Sequence, residues 1–121
     1  MRNILLVEND LINSMIIKNY LINDYQVDTV VTGLEAIEKS LEKQYDVILM
    51  DINLGHGIDG LVTARKIREK ESYKNTPIVA VTAFAMDGDK EDFLKNGCTH
   101  YISKPFLKDE LLGLIKRILP K

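Results

Sequence analysis

Five short apolar runs, separated by longer amphipathic segments, are the feature that most constrains how this chain can fold. The runs are NILLV (3–7), VDTVV (27–31), DVILM (46–50), PIVAV (77–81) and HYIS (100–103). The first, third and fourth runs are almost entirely apolar, which is typical of strands buried on both faces of a parallel sheet. The second and fifth runs are shorter or more polar, so we expect them at the edges.

The segments between and after these runs repeat apolar residues three or four positions apart, which predicts a helix in each. The residues on one face of four of these helices are, in chain order, Ile12, Met15, Ile16 and Asn19; Leu34, Ile37 and Leu41; Leu61, Ala64 and Ile67; and Leu107, Leu111, Leu114, Ile115 and Ile118. Thr32 and Glu35 form a capping box, and Asp59 is a suitable N-cap. The fourth helix is polar, contains Gly88 and stops at Gly97, so we expect it to be the least stable.

This alternation predicts a doubly wound α/β domain, in which right-handed crossovers place helices on both faces of a parallel sheet. A length of 121 residues suits one domain. The net charge of −2 gives no electrostatic footprint for direct contact with nucleic acid or an anionic membrane. Cys98 is the single cysteine, and no segment approaches the roughly 18 apolar residues of a membrane helix. We expect a cytoplasmic location.

Three glycines after the third run match the spacing of a dinucleotide-binding loop, G-x-G-x-x-G, at Gly55, Gly57 and Gly60. In such loops the first glycine lies directly at the strand end, where backbone N–H groups meet the pyrophosphate. Here the strand leads instead to Asp51, whose carboxylate would repel a phosphate. The acidic residue expected at the end of the next strand is replaced by Thr82. Nucleotide binding therefore remains a minor alternative.

Polar side chains follow four of the predicted strands. They are Glu8, Asn9 and Asp10; Asp51 and Asn53; Thr82; and Ser103 and Lys104. Because the carboxyl ends of parallel strands share one rim of the sheet, we expect these groups to converge. Carboxylates can hold Mg²⁺, and with the metal present Asp51 could attack phosphorus as a nucleophile. Lys104 could pair with phosphoryl oxygens, and Thr82 could donate a hydrogen bond to one.

The pieces ILLVEND, YDVILMDINL, PIVAVTAFAM and GCTHYISKPF resemble, in order and spacing, those of a response-regulator receiver domain of the CheY-like type. The resemblance covers residues 1–121 as a single receiver domain. It implies a flavodoxin-like, three-layer fold with strand order 2-1-3-4-5. It also implies a two-component phosphorelay, in which a sensor histidine kinase or histidine phosphotransfer domain donates the phosphoryl group to a signalling domain that is not itself an enzyme. Residues 82–106 are similar to receivers of hybrid sensor kinases.

The resemblance assigns roles to individual residues. Asp51 resembles the phosphoacceptor, and Glu8 the first acidic residue of a pocket for Mg²⁺ or Mn²⁺. The backbone carbonyl of Asn53 would be a further metal ligand. Lys104 resembles the lysine that precedes a cis proline, here Pro105.

The remaining roles that the resemblance implies concern switching and phosphoryl lifetime. Thr82 and Tyr101 resemble the switch pair, which would bias the face formed by the fourth helix, fifth strand and fifth helix. That face is also a possible homodimer interface. The side chains of Asn53 and Phe84 would tune hydrolysis of the phosphoryl group.

The sequence departs from the family pattern at Asn9, where a second acidic metal ligand is usual. Asn9 keeps a carbonyl oxygen but lacks the charge, so we expect weaker Mg²⁺ binding than in a typical member. Asp10 is adjacent, but alternation along an extended strand end would point it elsewhere. A degenerate receiver that docks without being phosphorylated is therefore an alternative. An aspartate-nucleophile phosphatase of the D-x-D type is less consistent with the sequence, because Asn53 replaces its second Asp.

Overall fold

A single parallel sheet organises the part of the chain that the computed structural model describes, which is residues 1–53, 59–83 and 87–119, with the backbone alone for 87–90. Its strands are β1 (Asn3–Val7), β2 (Gln26–Val30), β3 (Val47–Asp51), β4 (Ile78–Thr82) and β5 (His100–Ser103). Their order is β2-β1-β3-β4-β5, and every neighbouring pair is parallel. The predicted fold class, strand order and edge strands are confirmed, with strand bounds within one residue.

Helices connect the strands and lie on both faces of the sheet. They are α1 (Leu11–Leu21), α2 (Gly33–Glu42), α3 (Gly60–Arg68), α4 (Asp87–Lys95) and α5 (Lys108–Ile118), with a 3₁₀ turn at Glu71–Tyr73. The predicted N-caps are confirmed, since Thr32 accepts the N–H of Glu35 and Asp59 accepts that of Val62. No helix in the described ranges is long and apolar enough to cross a membrane.

Two apolar clusters fill the space between the sheet and its helices. On one face, Ile17 and Leu21 of α1 and Leu111 and Ile115 of α5 pack on alternate residues of the strands. On the other face, the cluster includes Ala36 of α2, Ala64 and Ile67 of α3, and Phe93 of α4. Each fully buried Leu or Ile contributes roughly 2 kcal/mol to folding, so the sheet is a rigid platform for the residues at its strand ends.

The face of α1 that its apolar spacing indicates is not the face that packs on the sheet. Ile12 is 70% exposed and Met15 is 65% exposed. The buried residues are instead Ser14, Ile17 and Leu21, which are also spaced by three and four positions. Helix α1 is apolar over more than one stripe, and periodicity alone does not identify the stripe that faces the core.

Helix α2 shows the same difference, for a reason of size. Leu34 and Leu41 are exposed, whereas Gly33, Ala36 and Ser40 are buried. Small side chains let a helix backbone come close to its neighbours, and α2 packs tightly beside α3. Of the predicted face, Ile37 alone packs against the core cluster. In α3 and α5 the predicted faces are confirmed at Ala64, Ile67, Leu111 and Ile115, although Leu107 is exposed.

Candidate functional site

The carboxyl ends of four strands meet at one rim of the sheet. The register places Asp51 beside Val81 and Thr82 beside Ser103, while Val7 at the end of β1 lies beside Met50. A cavity of about 290 Å³ opens at this rim. Its lining residues are Glu8, Asn9, Asp10, Asn13, Asp51, Ile52, Asn53, Thr82, Ala83 and Lys104. The polar residues expected at the strand ends therefore line this cavity, except Ser103, which is exposed and does not line it.

Lys104 lies between two buried carboxylates. Its Nζ atom is 2.9 Å from Glu8 Oε1 and 3.7 Å from Asp51 Oδ2. Glu8 is 1% exposed and Asp51 is 5% exposed, so little water screens these charges. The backbone N–H of Lys104 donates to the carbonyl of Thr82 at 2.7 Å, which fixes the start of its loop against β4. One ammonium group thus serves two carboxylates in what we call the rim pocket (Glu8, Asp51 and Lys104).

Backbone N–H groups orient both carboxylates. Asp10 N–H donates to Glu8 Oε2 at 3.2 Å, and Asn53 N–H donates to Asp51 Oδ1 at 3.1 Å. Each donor lies two residues after its acceptor, so the turn that ends each strand also holds the carboxylate. Both oxygens of Glu8 are engaged, whereas the Asp51 carboxylate is held more loosely on its Lys104 side.

The last glycine of the G-x-G-x-x-G spacing has a steric role. Gly60 begins α3, and its N–H donates to the carbonyl of Ile52 at 3.2 Å. A Cβ atom at this position would collide with the carbonyl oxygen of Asp51. Glycine thus allows α3 to start directly against the backbone of the acidic strand end. Gly55 and Gly57 lie outside the described residues.

The rim pocket carries more negative than positive charge, and this changes the acidity of Asp51. Burial raises the pKa of Asp51 to about 7, together with the hydrogen bond and the repulsion from the Glu8 carboxylate. Lys104 and the N–H of Asn53 lower this pKa, but they do not compensate fully. A further cation in the cavity would offset the excess negative charge of the two carboxylates and stabilise the ionised form of Asp51.

The oxygen atoms available at the rim are of the kind that Mg²⁺ prefers, but few of them are charged. Asp10 also lines the cavity, yet its Oδ1 atom accepts the N–H groups of Ile12 and Asn13 as the N-cap of α1. Among the described residues, no group of three or more His, Cys, Asp or Glu is arranged to hold a metal. The two carboxylates of Glu8 and Asp51, together with neutral oxygens from Asn9 and Asn53, form a ligand set that fits a divalent cation. The total negative charge of this set is low.

The other residues singled out from the sequence surround this cavity at different distances. Thr82 is the last residue of β4 and is 8% exposed. Tyr101 lies on β5, is 37% exposed, and its ring centroid is 6.5 Å from that of Phe93. The Lys104–Pro105 peptide bond is cis. Phe84, predicted to tune hydrolysis, lies outside the described residues.

Two features of the site were not predicted. The first is that Asp10 caps α1 through its side chain and orients Glu8 through its backbone. An Asp directly before a helical apolar pattern is the usual N-cap signal, and it would have found this role. The second is Asn13, which lines the cavity one turn into α1. Nothing in the sequence distinguishes Asn13 from the other polar residues of that helix.

Comparisons with known proteins identify the family to which this fold belongs. The family model described as "Response regulator receiver domain" matches residues 4–116. The polar-differentiation response regulator DivK of Brucella ovis is 34% identical over 119 residues, covering 98% of this chain and 96% of DivK. The probable transcriptional regulator ycf29 of Porphyra purpurea is 36% identical over 118 residues. The match covers 97% of this chain but only 56% of ycf29.

A solved structure shows the same arrangement of strands and helices. It is the receiver domain of sensor histidine kinase PA1611 from Pseudomonas aeruginosa PAO1, with a magnesium ion coordinated in the active site cleft. It is 38% identical to this chain, with a TM-score of 0.88 over 96% of this chain and 95% of that one. The chain therefore belongs to the response regulator receiver domain family, whose members are signalling proteins of two-component systems.

Proposed function

We propose that this receiver domain accepts a phosphoryl group on Asp51 from a phosphohistidine of a sensor histidine kinase or a histidine phosphotransfer domain. The observation that carries the proposal is the position of Asp51. It ends β3 as a buried carboxylate, beside Glu8 and within ion-pair distance of Lys104, and it lines an open cavity of about 290 Å³. A carboxylate with this exposure and these neighbours has the geometry of a nucleophile.

The transfer needs one bond to form and one to break. A carboxylate oxygen of Asp51 attacks phosphorus, and the P–N bond to a donor imidazole that is protonated on its other nitrogen breaks. The electron pair of that bond stays on nitrogen, so the imidazole leaves as a neutral base. The product is an aspartyl phosphate. Asn53 N–H donates to Oδ1, so the attacking oxygen would be Oδ2, which lies 3.7 Å from Lys104 Nζ. Lys104 then pairs with phosphoryl oxygens instead of with Glu8 and Asp51.

The rim would also hold Mg²⁺ or Mn²⁺, as the cleft of the PA1611 receiver domain holds magnesium. Its ligands here would be Glu8, Asp51, the backbone carbonyl of Asn53 and the amide oxygen of Asn9. When bound, the cation would neutralise charge shared by the carboxylates and the phosphoryl oxygens. Because Asn9 is neutral and Asp10 caps α1, we expect weaker binding than in a receiver with an acidic residue at position 9.

The proposed output is a change at the face formed by α4, β5 and α5. The Thr82 hydroxyl donates to a phosphoryl oxygen, and the space that it leaves is filled by Tyr101, which is now more than one-third exposed. Phe84 and the Asn53 side chain would control access of water to the phosphoryl group. The face would then bind a partner or a second copy of the chain. We place this activity in the cytoplasm, with no direct contact to nucleic acid or membrane.

Intact mass spectrometry tests the proposal. The chain is incubated with acetyl phosphate, with and without Mg²⁺, beside Asp51→Asn and Glu8→Gln. We expect the wild-type chain to gain the mass of one phosphoryl group with Mg²⁺, Asp51→Asn to gain none, and Glu8→Gln to gain it more slowly. If the wild-type chain stays unmodified at high Mg²⁺ concentration, the result would instead favour a degenerate receiver that docks without being phosphorylated. Asn9 is the residue that suggests this alternative.

A further inference from the structure

Helix α3 contacts the backbone of the proposed phosphoacceptor at its first residue. Gly60 N–H donates to the carbonyl of Ile52, and the space for a side chain at Gly60 is occupied by the Asp51 carbonyl oxygen. The start of α3 and the end of β3 are in direct contact at this point. A shift of the β3 end by a few tenths of an ångström must therefore displace the start of α3 or open this contact.

Arg68, the last residue of α3, forms hydrogen bonds to the turn that follows α4. Arg68 donates to the carbonyl of Gly97 from Nη2 at 2.6 Å and from Nε at 3.1 Å. Its Nη1 atom donates to the carbonyls of Tyr73 at 2.6 Å and Lys74 at 3.2 Å. Four charge-assisted hydrogen bonds to three backbone carbonyls fix the guanidinium more firmly than a surface ion pair would.

Gly97 is itself the fixed end of α4. Its φ of +96° and the bonds from Cys98 N–H to Phe93 O at 2.9 Å and from Gly97 N–H to Leu94 O at 3.2 Å form a Schellman turn. A Cβ atom at Gly97 would lie 3.1 Å from Arg68 Cβ and 3.3 Å from Arg68 Cγ. The arginine side chain therefore packs directly on the turn that connects α4 to β5.

Helix α3 is short and stiff enough to join these two contacts. Its nine residues span about 13 Å at 1.5 Å per residue. Ala64 and Ile67, which lie between the two ends, are fully buried in the same apolar cluster as Phe93 and Cys98. The helix can thus move as a unit, but it cannot bend independently of the core that it shares with α4.

We propose that Arg68 is a positioning residue that couples Asp51 to the C-terminal end of α4 through α3, by a path separate from Thr82 and Tyr101. Phosphorylation of Asp51 shifts Gly60, α3 transmits the shift, and Arg68 carries it to Gly97. This inference rests on the proposed function, because it requires that Asp51 be modified. It makes the α4–β5–α5 face respond to two inputs from one carboxylate.

Arg65 provides a matched control on the same helix. It lies three residues before Arg68 and makes one long hydrogen bond, at 3.4 Å, from Nη1 to Asn96 Oδ1. Both its side chain and this bond are exposed. Substituting Arg65 with Met removes the same charge and the same number of side-chain donors as substituting Arg68 with Met. It leaves the hydrogen bonds from Arg68 to the Gly97 carbonyl intact.

The test uses the full chain with Mg²⁺ and beryllium trifluoride, the probe that activates the DrrB receiver domain. Amide NMR signals of Gly97 and Tyr101 are recorded before and after addition for the wild type, Arg68→Met, Arg68→Lys and Arg65→Met. We expect Arg68→Met to lose most of the response at Gly97 while keeping that at Tyr101. Arg68→Lys, which cannot bond two carbonyls in a fixed plane, loses about half, and Arg65→Met keeps both responses.

A purely structural role for Arg68 would shift signals before addition and leave the response at Gly97 intact, and that result overturns the proposal. If Arg68→Met does not fold, Arg68→Lys and the wild type decide. In the wild type, the amide signals of Arg65 to Arg68 must change when the probe is added, and unchanged signals there also overturn the proposal. Asp51→Asn, which lacks the proposed phosphoacceptor, serves as the unresponsive control. If the wild type also shows no response at Tyr101 and Gly97, the proposed function has failed, rather than the role of Arg68.

Discussion

Two sites in this molecule pair an aspartate with a lysine, but the pKa of the aspartate is raised at one site and lowered at the other. In the rim pocket, Lys104 serves both Glu8 and Asp51, and the pKa of Asp51 is raised. Beside the amino end of β3 lies an edge cluster, which we define as Asp28, Lys43, Tyr45 and Tyr73. There the pKa of Asp28 is lowered, first by the hydrogen bond from Tyr45 and then by Lys43, against the effect of burial.

The difference lies in how completely each carboxylate is satisfied. Asp28 Oδ2 accepts from Tyr45 Oη at 2.7 Å and from Lys43 Nζ at 3.0 Å. Tyr73 Oη extends this network by donating to the carbonyl of Lys43 at 2.6 Å. The edge cluster therefore stabilises the native fold, whereas the rim pocket retains an unbalanced charge, which the proposed cation and phosphoryl group would use. The raised pKa of Asp51 is typical of a candidate functional site, whereas the lowered pKa of Asp28 is typical of a structural ion-pair network.

Removing the ammonium group of the rim pocket should give the largest loss of stability. In Lys104→Met, Glu8 and Asp51 face each other without a counter-ion, and we expect a loss of about 3 kcal/mol in the free energy of unfolding at pH 8. At pH 5, where Asp51 binds a proton, the loss should be much smaller. Urea denaturation at both pH values measures this. Equal losses at the two pH values would show that the charge of Asp51 takes no part in the effect of Lys104.

Removing the charge of Asp51 should have the opposite sign. Because its pKa is raised from 3.8 to about 7 in the folded state, its ionisation opposes folding, and this cost builds up as the pH rises from about 4 to 7. Since one pKa unit is equivalent to about 1.4 kcal/mol, Asp51→Asn should be more stable than the wild type by about 4 kcal/mol at pH 8 and should match it near pH 4. Thermal or urea unfolding across this range measures the difference. A variant less stable than the wild type at pH 8 would contradict the charge argument.

Exchanging the residues at positions 9 and 10 tests the proposal that Asn9 weakens cation binding at the rim. Asn9→Asp combined with Asp10→Asn keeps the net charge and keeps an effective N-cap, because Asn caps as well as Asp. It moves one carboxylate into the rim pocket. We expect about tenfold tighter Mg²⁺ binding, equivalent to about 1.4 kcal/mol, measured by titration calorimetry. Asp10→Asn alone is the control and should leave the affinity unchanged, whereas no gain in the double variant would exclude position 9 as the cause.

The smallest expected effect is the removal of charge from the edge cluster. Asp28→Asn keeps an acceptor for Tyr45 but loses the ion pair with Lys43, and Asp28 is about one-third exposed. We expect a loss of about 0.5 kcal/mol at pH 7. Since the pKa of Asp28 is lowered in the folded state, this loss should fade as the pH falls below 4. The comparison of the two sites fails if Asp28→Asn stabilises the fold in the way that Asp51→Asn does.

Much of the fold follows from the sequence because sheet burial leaves a strong pattern. The runs that became β1, β3 and β4 are apolar on both faces, and this placed them in the centre of the sheet and Asp51 at its rim. The proximity of Asp51 and Lys104 followed from parallel topology, since the strands share a direction.

The unpredicted features depend on distances between segments that are far apart in the chain. The choice between two apolar stripes of α1 depends on how the helix meets α5 and the sheet. The contact of Arg68 with Gly97 joins residues 29 positions apart, and that of Tyr45 with Asp28 joins residues 17 positions apart. No local spacing encodes either pair, so neither was foreseen.

The position of Asp28 on β2 has a consequence for the behaviour of the protein at high concentration. β2 is an edge strand, and its outer N–H and C=O groups could template pairing with a strand from another molecule. A charged residue in the middle of a five-residue strand makes such pairing costly, because a neighbouring strand would desolvate it. The edge cluster that steadies the fold therefore also protects the molecule from fibrous aggregation.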